Sequence, residues 1–163
     1  MASDQAQNTR ARYWQTAPEL PPEVFEVWRK LHQALNPIAI VATLDPNGAP
    51  HVAPFGSMRA ITPRLLRFVS WRGHDTFTNL CRDGCIMVTL LAPPDMAVSV
   101  QGRARVVKEQ MRADESYAAI DIDVEQVKND MVQSVIIESA VTISAKAEYQ
   151  PWFHRVLSEA EDM

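Results

Sequence analysis

The chain has 163 residues, of which 47% are hydrophobic and 22% are charged, a composition typical of one globular domain with a sizeable core. Its formal net charge of −4 argues against general nucleic-acid binding, and no run approaches the roughly 20 apolar residues of a membrane span. The two cysteines, Cys81 and Cys85, match no metal-ligand pattern and favour reduced thiols in a cytoplasmic protein.

The first predicted element follows a polar N-terminus. Residues 1–20 lack the apolar core of a secretory signal and are predicted to form a flexible arm, which leaves residues 21–163 as a single domain. Within the stretch "PPEVFEVWRKLHQAL", residues 21–35, the apolar spacing predicts an amphipathic helix. The proline pair suits its start, and Asn36-Pro37 ends it.

Five strands are predicted next, with one helix among them. "IAIVATLD" is rich in β-branched residues, and Asn47-Gly48 is a strong hairpin-turn signal before "HVAPFGSMRAI". "LLRFVSW" is the third strand, and "DTFTNLCRDG" predicts a short helix that stops at Gly84. The remaining two predicted strands are the apolar "CIMVTLLA" and the longer, partly alternating "MAVSVQGRARVVKE".

The C-terminal third carries a less regular pattern. Residues 109–131 are predicted to be helical, "SVIIESAVTISAKAEYQ" to be a sixth strand, and "PWFHRVLSEAEDM" to close the chain as a helical turn. Most connections are too short for parallel crossovers. The predicted fold is therefore mainly β, a six-stranded antiparallel barrel with flanking helices.

Familiar catalytic motifs are missing from the sequence. It contains no GxGxxG, GxxxxGK[ST], HExxH or GxSxG, and its four histidines are scattered, so no metal site is predicted. Anion-capable groups remain at strand ends and at the start of the predicted helix: Ser57, Arg59, Ser70, Thr76 and Thr78. Each one alone favours an ordinary structural role, such as a helix cap or a surface arginine. Together they favour a phosphate site.

The order of these segments resembles a known family. Residues 38–108 are similar to the FMN-binding split barrel of the pyridoxamine 5′-phosphate oxidase-like superfamily. The resemblance rests on "IAIVATLDPNGAPHVAPF", the basic residue in "GSMRAI", "LLRFVSW", the "NL" before "CRDGCIMVTLL", and "VSVQGRARVV". It implies an FMN-dependent oxidoreductase that acts on a small molecule, with NAD(P)H as a candidate electron donor. It also implies a homodimer with the flavin at the subunit interface.

The resemblance also implies site residues. Arg59 takes the place of the basic residue that meets the phosphate, whereas Thr76 stands where the family usually has Lys or Arg, and Arg72 is expected to compensate. Gln101, Arg103, Trp152 and Phe153 are weaker candidates from the partner chain. The implied cofactor-binding residues are Pro54, Phe55, Gly56, Ser57, Met58, Arg59, Val69, Ser70, Trp71, Arg72, Asp75, Thr76 and Asn79.

Several alternatives stay open on the sequence alone. His154-Arg155 are adjacent, unlike the Arg-x-His arrangement of true pyridoxamine phosphate oxidases, which disfavours the vitamin substrate. The missing basic residue at Thr76 leaves room for a deazaflavin or heme, and a flavin-binding dimer without turnover is the third alternative. His51 and His74 are the nearest proton-shuttle candidates, although a surface role suits either one.

Overall fold

The computed structural model describes residues 14–163, which form one antiparallel sheet and three α-helices. Its strands are β1 Thr16–Ala17, β2 Ala39–Leu44, β3 Pro50–Phe55, β4 Arg59–Thr62, β5 Leu65–Trp71, β6 Cys85–Ala92, β7 Met96–Lys108 and β8 Tyr117–Asn129. Its helices are α1 Pro22–Arg29, α2 Asp75–Arg82 and α3 Gln150–Glu161, the last preceded by a 3-10 turn at Ala147–Tyr149. Among these helices none is long and apolar enough to cross a membrane.

The strand order confirms the mainly β, split-barrel architecture but corrects the strand count. The described strands run β3-β2-β6-β7-β8-β5-β4, with β1 paired to β8, so the sheet has eight strands rather than six and its two ends are not joined. The second predicted strand is interrupted after Phe55 and gives β3 and β4. Every pairing is antiparallel, as the short connections require.

Two predictions for the C-terminal third are wrong. Residues 117–129, predicted as helix, form β8, which pairs with β7 along most of its length and with β5 on its other edge. Residues 134–146, predicted as part of a sixth strand, have no regular secondary structure and expose Val135, Ile136 and Val141. This segment alternates polar and apolar residues, but it pairs with none of the described strands. Its apolar side chains therefore have no sheet face on which to pack.

The N-terminal elements are shorter than predicted. Helix α1 begins with proline in its first turn and ends at Arg29, because Lys30 adopts a left-handed backbone conformation at φ 53°. Residues 1–13 of the predicted arm lie outside the described residues. The rest of that arm packs on the domain, since β1 pairs with β8 and Leu20 is buried in the main core.

The sheet buries two hydrophobic clusters on its two faces at β5. Leu66 and Phe68 point into the main core, which also receives Trp28 from α1. Val69, on the opposite face, packs in a smaller cluster with Val156 of α3. This alternation follows the period of a β-strand. It places α3 over one face of β5, while α2 begins four residues beyond the end of the strand.

Candidate functional site

The start of α2 is built by a tight turn after β5. The turn exposes Trp71, and His74 serves as the helix N-cap, with its Nδ1 accepting a hydrogen bond from Thr76 N at 3.1 Å. Asp75 and Thr76, which are also suitable cap residues by type, lie one and two residues further along, inside the helix. Thr78 N donates to His74 O at 3.1 Å and closes the first turn.

Two polar atoms beside this helix start are buried and unsatisfied. The Thr76 hydroxyl oxygen belongs to a fully buried residue, and neither it nor Nε of Arg72 has a hydrogen-bond partner within residues 14–163. The remaining contacts of the Arg72 guanidinium are long, at 3.5 Å to Glu115 O and 3.9 Å to the Glu109 carboxylate. An unsatisfied buried group costs about 1–3 kcal/mol, so a missing partner is the natural explanation.

The indole of Trp71 lies over the same turn and is 51% exposed. A Cβ added to Gly73 would lie 2.5 Å from this ring, so the glycine lets the indole rest directly on the turn backbone. Ser70, just before it, is buried and donates its hydroxyl to Trp71 O at 3.2 Å. Asp75 is exposed at the first position of α2. Four of the predicted cofactor residues, Trp71, Arg72, Asp75 and Thr76, thus lie together at this end of α2.

An aromatic and histidine cluster lies beside the turn. The ring of His74 makes edge contacts with His51 at 5.9 Å and with Phe55 at 5.6 Å between centroids, and Phe55 in turn contacts Phe68 at 5.0 Å. Nε2 of His51 is buried without a partner among the described residues. His74 caps the helix through its Nδ1, and the buried Nε2 of His51 is the second polar ring atom of this cluster.

Arg59, predicted to meet the phosphate, has all three of its guanidinium nitrogens engaged by partners within the fold. The residue is only 3% exposed, and its Nε donates to the Glu161 carboxylate of α3 at 2.7 Å. Its two terminal nitrogens donate to Ser57 O at 3.2 Å and Ala34 O at 2.9 Å. Arg59 pairs in register with Arg67, whose side chain lies on the α3 face of β5, opposite to the face of Phe68. The guanidinium of Arg59 therefore holds α3 in place through Glu161.

Several other predicted residues are also used by the fold. The Ser57 hydroxyl accepts from Val69 N at 3.0 Å and donates to Val69 O at 3.1 Å, and so replaces a strand partner. Nδ2 of Asn79 donates to Thr43 at 3.1 Å and Asp45 at 3.0 Å, which ties α2 to β2. Met58 is fully buried in the main core, whereas Val69 belongs to the cluster under α3.

The backbone at Gly56, just before β4, is covered by Ile143 and by Lys30. Pro54 is exposed at the end of β3, while a Cβ added to Gly56 would lie 2.8 Å from the Ile143 side chain. Gly56 O accepts a hydrogen bond from Lys30 Nζ at 2.7 Å. Sequence reasoning missed Lys30, since a lysine at the end of an amphipathic helix is typical of a solvated surface.

The weaker candidates lie on α3 and on β7. Trp152 and Phe153 are stacked edge to face on α3, and Trp152 Nε1 donates to Asp114 at 2.8 Å. Arg103 forms an exposed ion pair with Asp83 at 3.4 Å. Gln101 lies in a depression of about 210 Å³ on the outer face of β6, β7 and β8.

Comparison with known proteins assigns the chain to a family. The profile of the family described as pyridoxamine 5′-phosphate oxidase matches residues 26–148, which is well over half of the chain. The chain belongs to the pyridoxamine 5′-phosphate oxidase family. This match extends the likeness to β8 and beyond, whereas the sequence pieces that first indicated it ended at Lys108.

Solved structures support the fold of this family member. HupZ of Group A Streptococcus is 19% identical with a TM-score of 0.55, over 74% of this chain and 99% of that one. An FMN-binding protein from Syntrophomonas wolfei is 12% identical with a TM-score of 0.54, over 80% and 95%. A protein described as an F420 reductase is 14% identical with a TM-score of 0.51, over 66% and 98%. No curated protein matches the chain significantly.

Proposed function

We propose that this family member is an FMN-dependent oxidoreductase whose cofactor phosphate docks at the start of α2. The observation that carries the proposal is the pair of buried, unpartnered atoms there, Thr76 Oγ1 and Arg72 Nε. Membership of the oxidase family and the likeness to an FMN-binding protein support the choice of cofactor. The flavin, when bound, supplies the hydride-transfer chemistry.

The chain's own residues fit a phosphate at this place in part. The Thr76 hydroxyl and the Nε–H of Arg72 are both able to donate to phosphate oxygens, and the positive end of the α2 dipole favours an anion. Trp71 offers an exposed aromatic face for the remainder of the cofactor. Arg59 has no part in this arrangement, because Glu161 and two carbonyl oxygens hold it.

The proposal includes a homodimer with the flavin at the subunit interface. The outer face of β2, β3 and β6 exposes a set of large apolar side chains, namely Ile40, Val52, Met87 and Leu91. Exposed apolar groups clustered on one sheet face are typical of a protein interface. A second copy on this face would cover them, and sedimentation equilibrium would report twice the 18.3 kDa chain mass. The substrate is a small molecule, with NAD(P)H as the proposed electron donor.

A deazaflavin is the second candidate cofactor. The structural likeness to a protein described as an F420 reductase favours it, as does the engagement of Arg59, which leaves the phosphate site with fewer cations than predicted. The two cofactors are distinguished by their absorbance and by the mass of the molecule released on denaturation.

FMN titration of two matched threonine variants tests the proposal. Thr76→Val removes the buried hydroxyl with little change of shape, while Thr78→Val makes the same change at an exposed position of the same helix. Since a hydrogen bond to a charged group contributes about 1.5–3 kcal/mol, we expect Thr76→Val to weaken FMN binding roughly 10-fold or more. Thr78→Val should bind as the wild type does. Equal affinities for all three proteins, measured by quenching of flavin fluorescence, would contradict the phosphate placement.

A further inference from the structure

A cavity lies at the C-terminal end of α1 and the loop that follows it. It has a volume of about 530 Å³ and contains none of the predicted cofactor residues. Val27, Leu31 and Ala34 give it apolar walls, and Lys30 and Asn36 supply polar groups. This size matches the lower part of the range for small-molecule sites, and the mixture of apolar walls with a few polar groups is typical of them.

Lys30 lines this cavity, and two backbone carbonyl groups next to the cavity fix its amine. Its Nζ lies 2.7 Å from Gly56 O and 3.4 Å from Leu35 O, and the residue is only partly exposed. Its own backbone adopts the left-handed conformation, which a lysine rarely does and which costs free energy. The amine is thus held in one position, whereas a surface lysine usually moves freely.

The loop that carries the cavity is anchored by residues far along the chain. Asn36 exchanges two hydrogen bonds with the backbone of Ile143, at 2.7 and 2.8 Å. Arg59 binds Ala34 O, and Gln33 N donates to the Glu161 carboxylate at 2.8 Å. These contacts give the cavity a defined shape. Leu31 nevertheless leaves 85% of its surface exposed at the cavity wall, so an apolar ligand there would bury it.

The surroundings of Lys30 make the neutral form of its amine accessible near pH 7. Burial and then the Arg59 guanidinium lower the pKa of the Lys30 amine to about 7, against the opposing attraction of Glu161. His32 also contacts the Glu161 carboxylate, while Glu26 and Arg29 line the cavity and pair with each other at 3.2 Å. A neutral amine has two hydrogens, one for each carbonyl oxygen, and its lone pair remains free.

We propose that Lys30 is a nucleophilic amine that forms an imine with a small aldehyde or ketone whose apolar body binds in this cavity. The lone pair attacks the carbonyl carbon to give a carbinolamine. Both amine hydrogens then leave with the carbonyl oxygen as one molecule of water, so no oxidant or reductant takes part. A proton from solvent then gives the imine nitrogen one N–H, which is placed to donate to Gly56 O. This inference does not depend on the FMN proposal.

Reductive labelling of the full-length wild-type protein tests the inference. Benzaldehyde and sodium cyanoborohydride convert each imine into a stable benzylamine, and peptide mass mapping then compares Lys30 with the exposed Lys146. Because an ordinary lysine amine titrates near 10.4, we expect Lys30 to be labelled more than about 10-fold faster at pH 7. Its labelling should be half-maximal near pH 7, where its amine loses its proton. Labelling no faster than that of Lys146 would overturn the proposal.

A variant of the cavity wall tests the apolar part of the claim. Leu31→Ala removes an exposed side chain, so the fold should not depend on it. We expect the variant to lose benzaldehyde labelling of Lys30 severalfold and to keep its labelling by formaldehyde, which needs no apolar wall. An unchanged preference for benzaldehyde would contradict binding of the ligand body in this cavity.

Discussion

The ion pair between Arg67 and Asp121 is predicted to be among the most sensitive contacts of the fold. The two residues face each other across β5 and β8, at 2.6 Å for Nε–Oδ1 and 3.1 Å for Nη2–Oδ2, and their side chains are 8% and 4% exposed. Arg67 also donates to Ala160 O at 3.2 Å and Met163 O at 3.0 Å, which ties down the end of α3. Removal of the carboxylate would leave a buried guanidinium without its counterion.

We therefore expect Asp121→Ala to lower the free energy of unfolding by about 3–5 kcal/mol, a large part of the roughly 5–15 kcal/mol of an ordinary domain. Asp123→Ala is the matched control on the same strand, since its pair with Arg105 is 56% and 53% exposed. That exposed pair should contribute no more than about 1 kcal/mol.

Urea unfolding followed by tryptophan fluorescence measures both changes in the free energy of unfolding. A double variant, Arg67→Met with Asp121→Leu, removes both charges and should be more stable than Asp121→Ala alone. Equal losses for Asp121→Ala and Asp123→Ala, or a double variant that is less stable than the single one, would refute this reasoning.

Three further outcomes are expected. Thr76→Val should leave the cofactor-free protein at least as stable as the wild type in thermal melts, because the hydroxyl it removes is buried and unsatisfied; a loss above about 1 kcal/mol would reveal a partner for that hydroxyl. Gly102→Ala should destabilise the sheet by about 1–3 kcal/mol in urea, since the new Cβ would lie 2.5 Å from Asp123 O; wild-type stability would show that β8 gives way. Hydrogen bonds from Trp152 and Ser116 hold the pKa of Asp114 below its ordinary value, so its stabilisation is present above about pH 4 and lost as pH falls further. Acid titration of Asp114→Asn should therefore show a smaller loss of stability below pH 4 than the wild type, and an identical loss would exclude this contribution.

Much of the fold follows from local patterns that the structure confirms. β2 and β6 are apolar and β-branched enough to be recognised alone, and His74 to Arg82 reads as a helix because Phe77 and Leu80 share one buried face. The sequence pattern does not indicate strand β8, because Asp121 is buried between Ile120 and Ile122. Polar and apolar residues therefore do not separate onto two faces, as they do in a half-exposed strand. The burial of this acidic residue is balanced by Arg67 on β5, with Arg105 of β7 3.8 Å away.

The candidate site was harder to predict, since its decisive contacts join distant parts of the chain. The family resemblance implied Trp71, Arg72 and Thr76 as site residues, and they lie at one turn between β5 and α2. The role of Arg59 depends on its ion pair with Glu161, which lies 102 residues further along the chain. No local sequence pattern indicates that pairing. No local pattern singles out Lys30 either. Only in the folded protein does Gly56 O bind its amine, and only there do burial and Arg59 lower the pKa of that amine.

The visible absorbance spectrum of the purified protein, with mass identification of any released molecule, tests the central claim most directly. We predict a yellow protein that releases FMN on denaturation and whose cofactor-free form binds added FMN at the start of α2. A colourless protein that binds neither FMN nor a deazaflavin, even at saturating concentrations, would contradict the account.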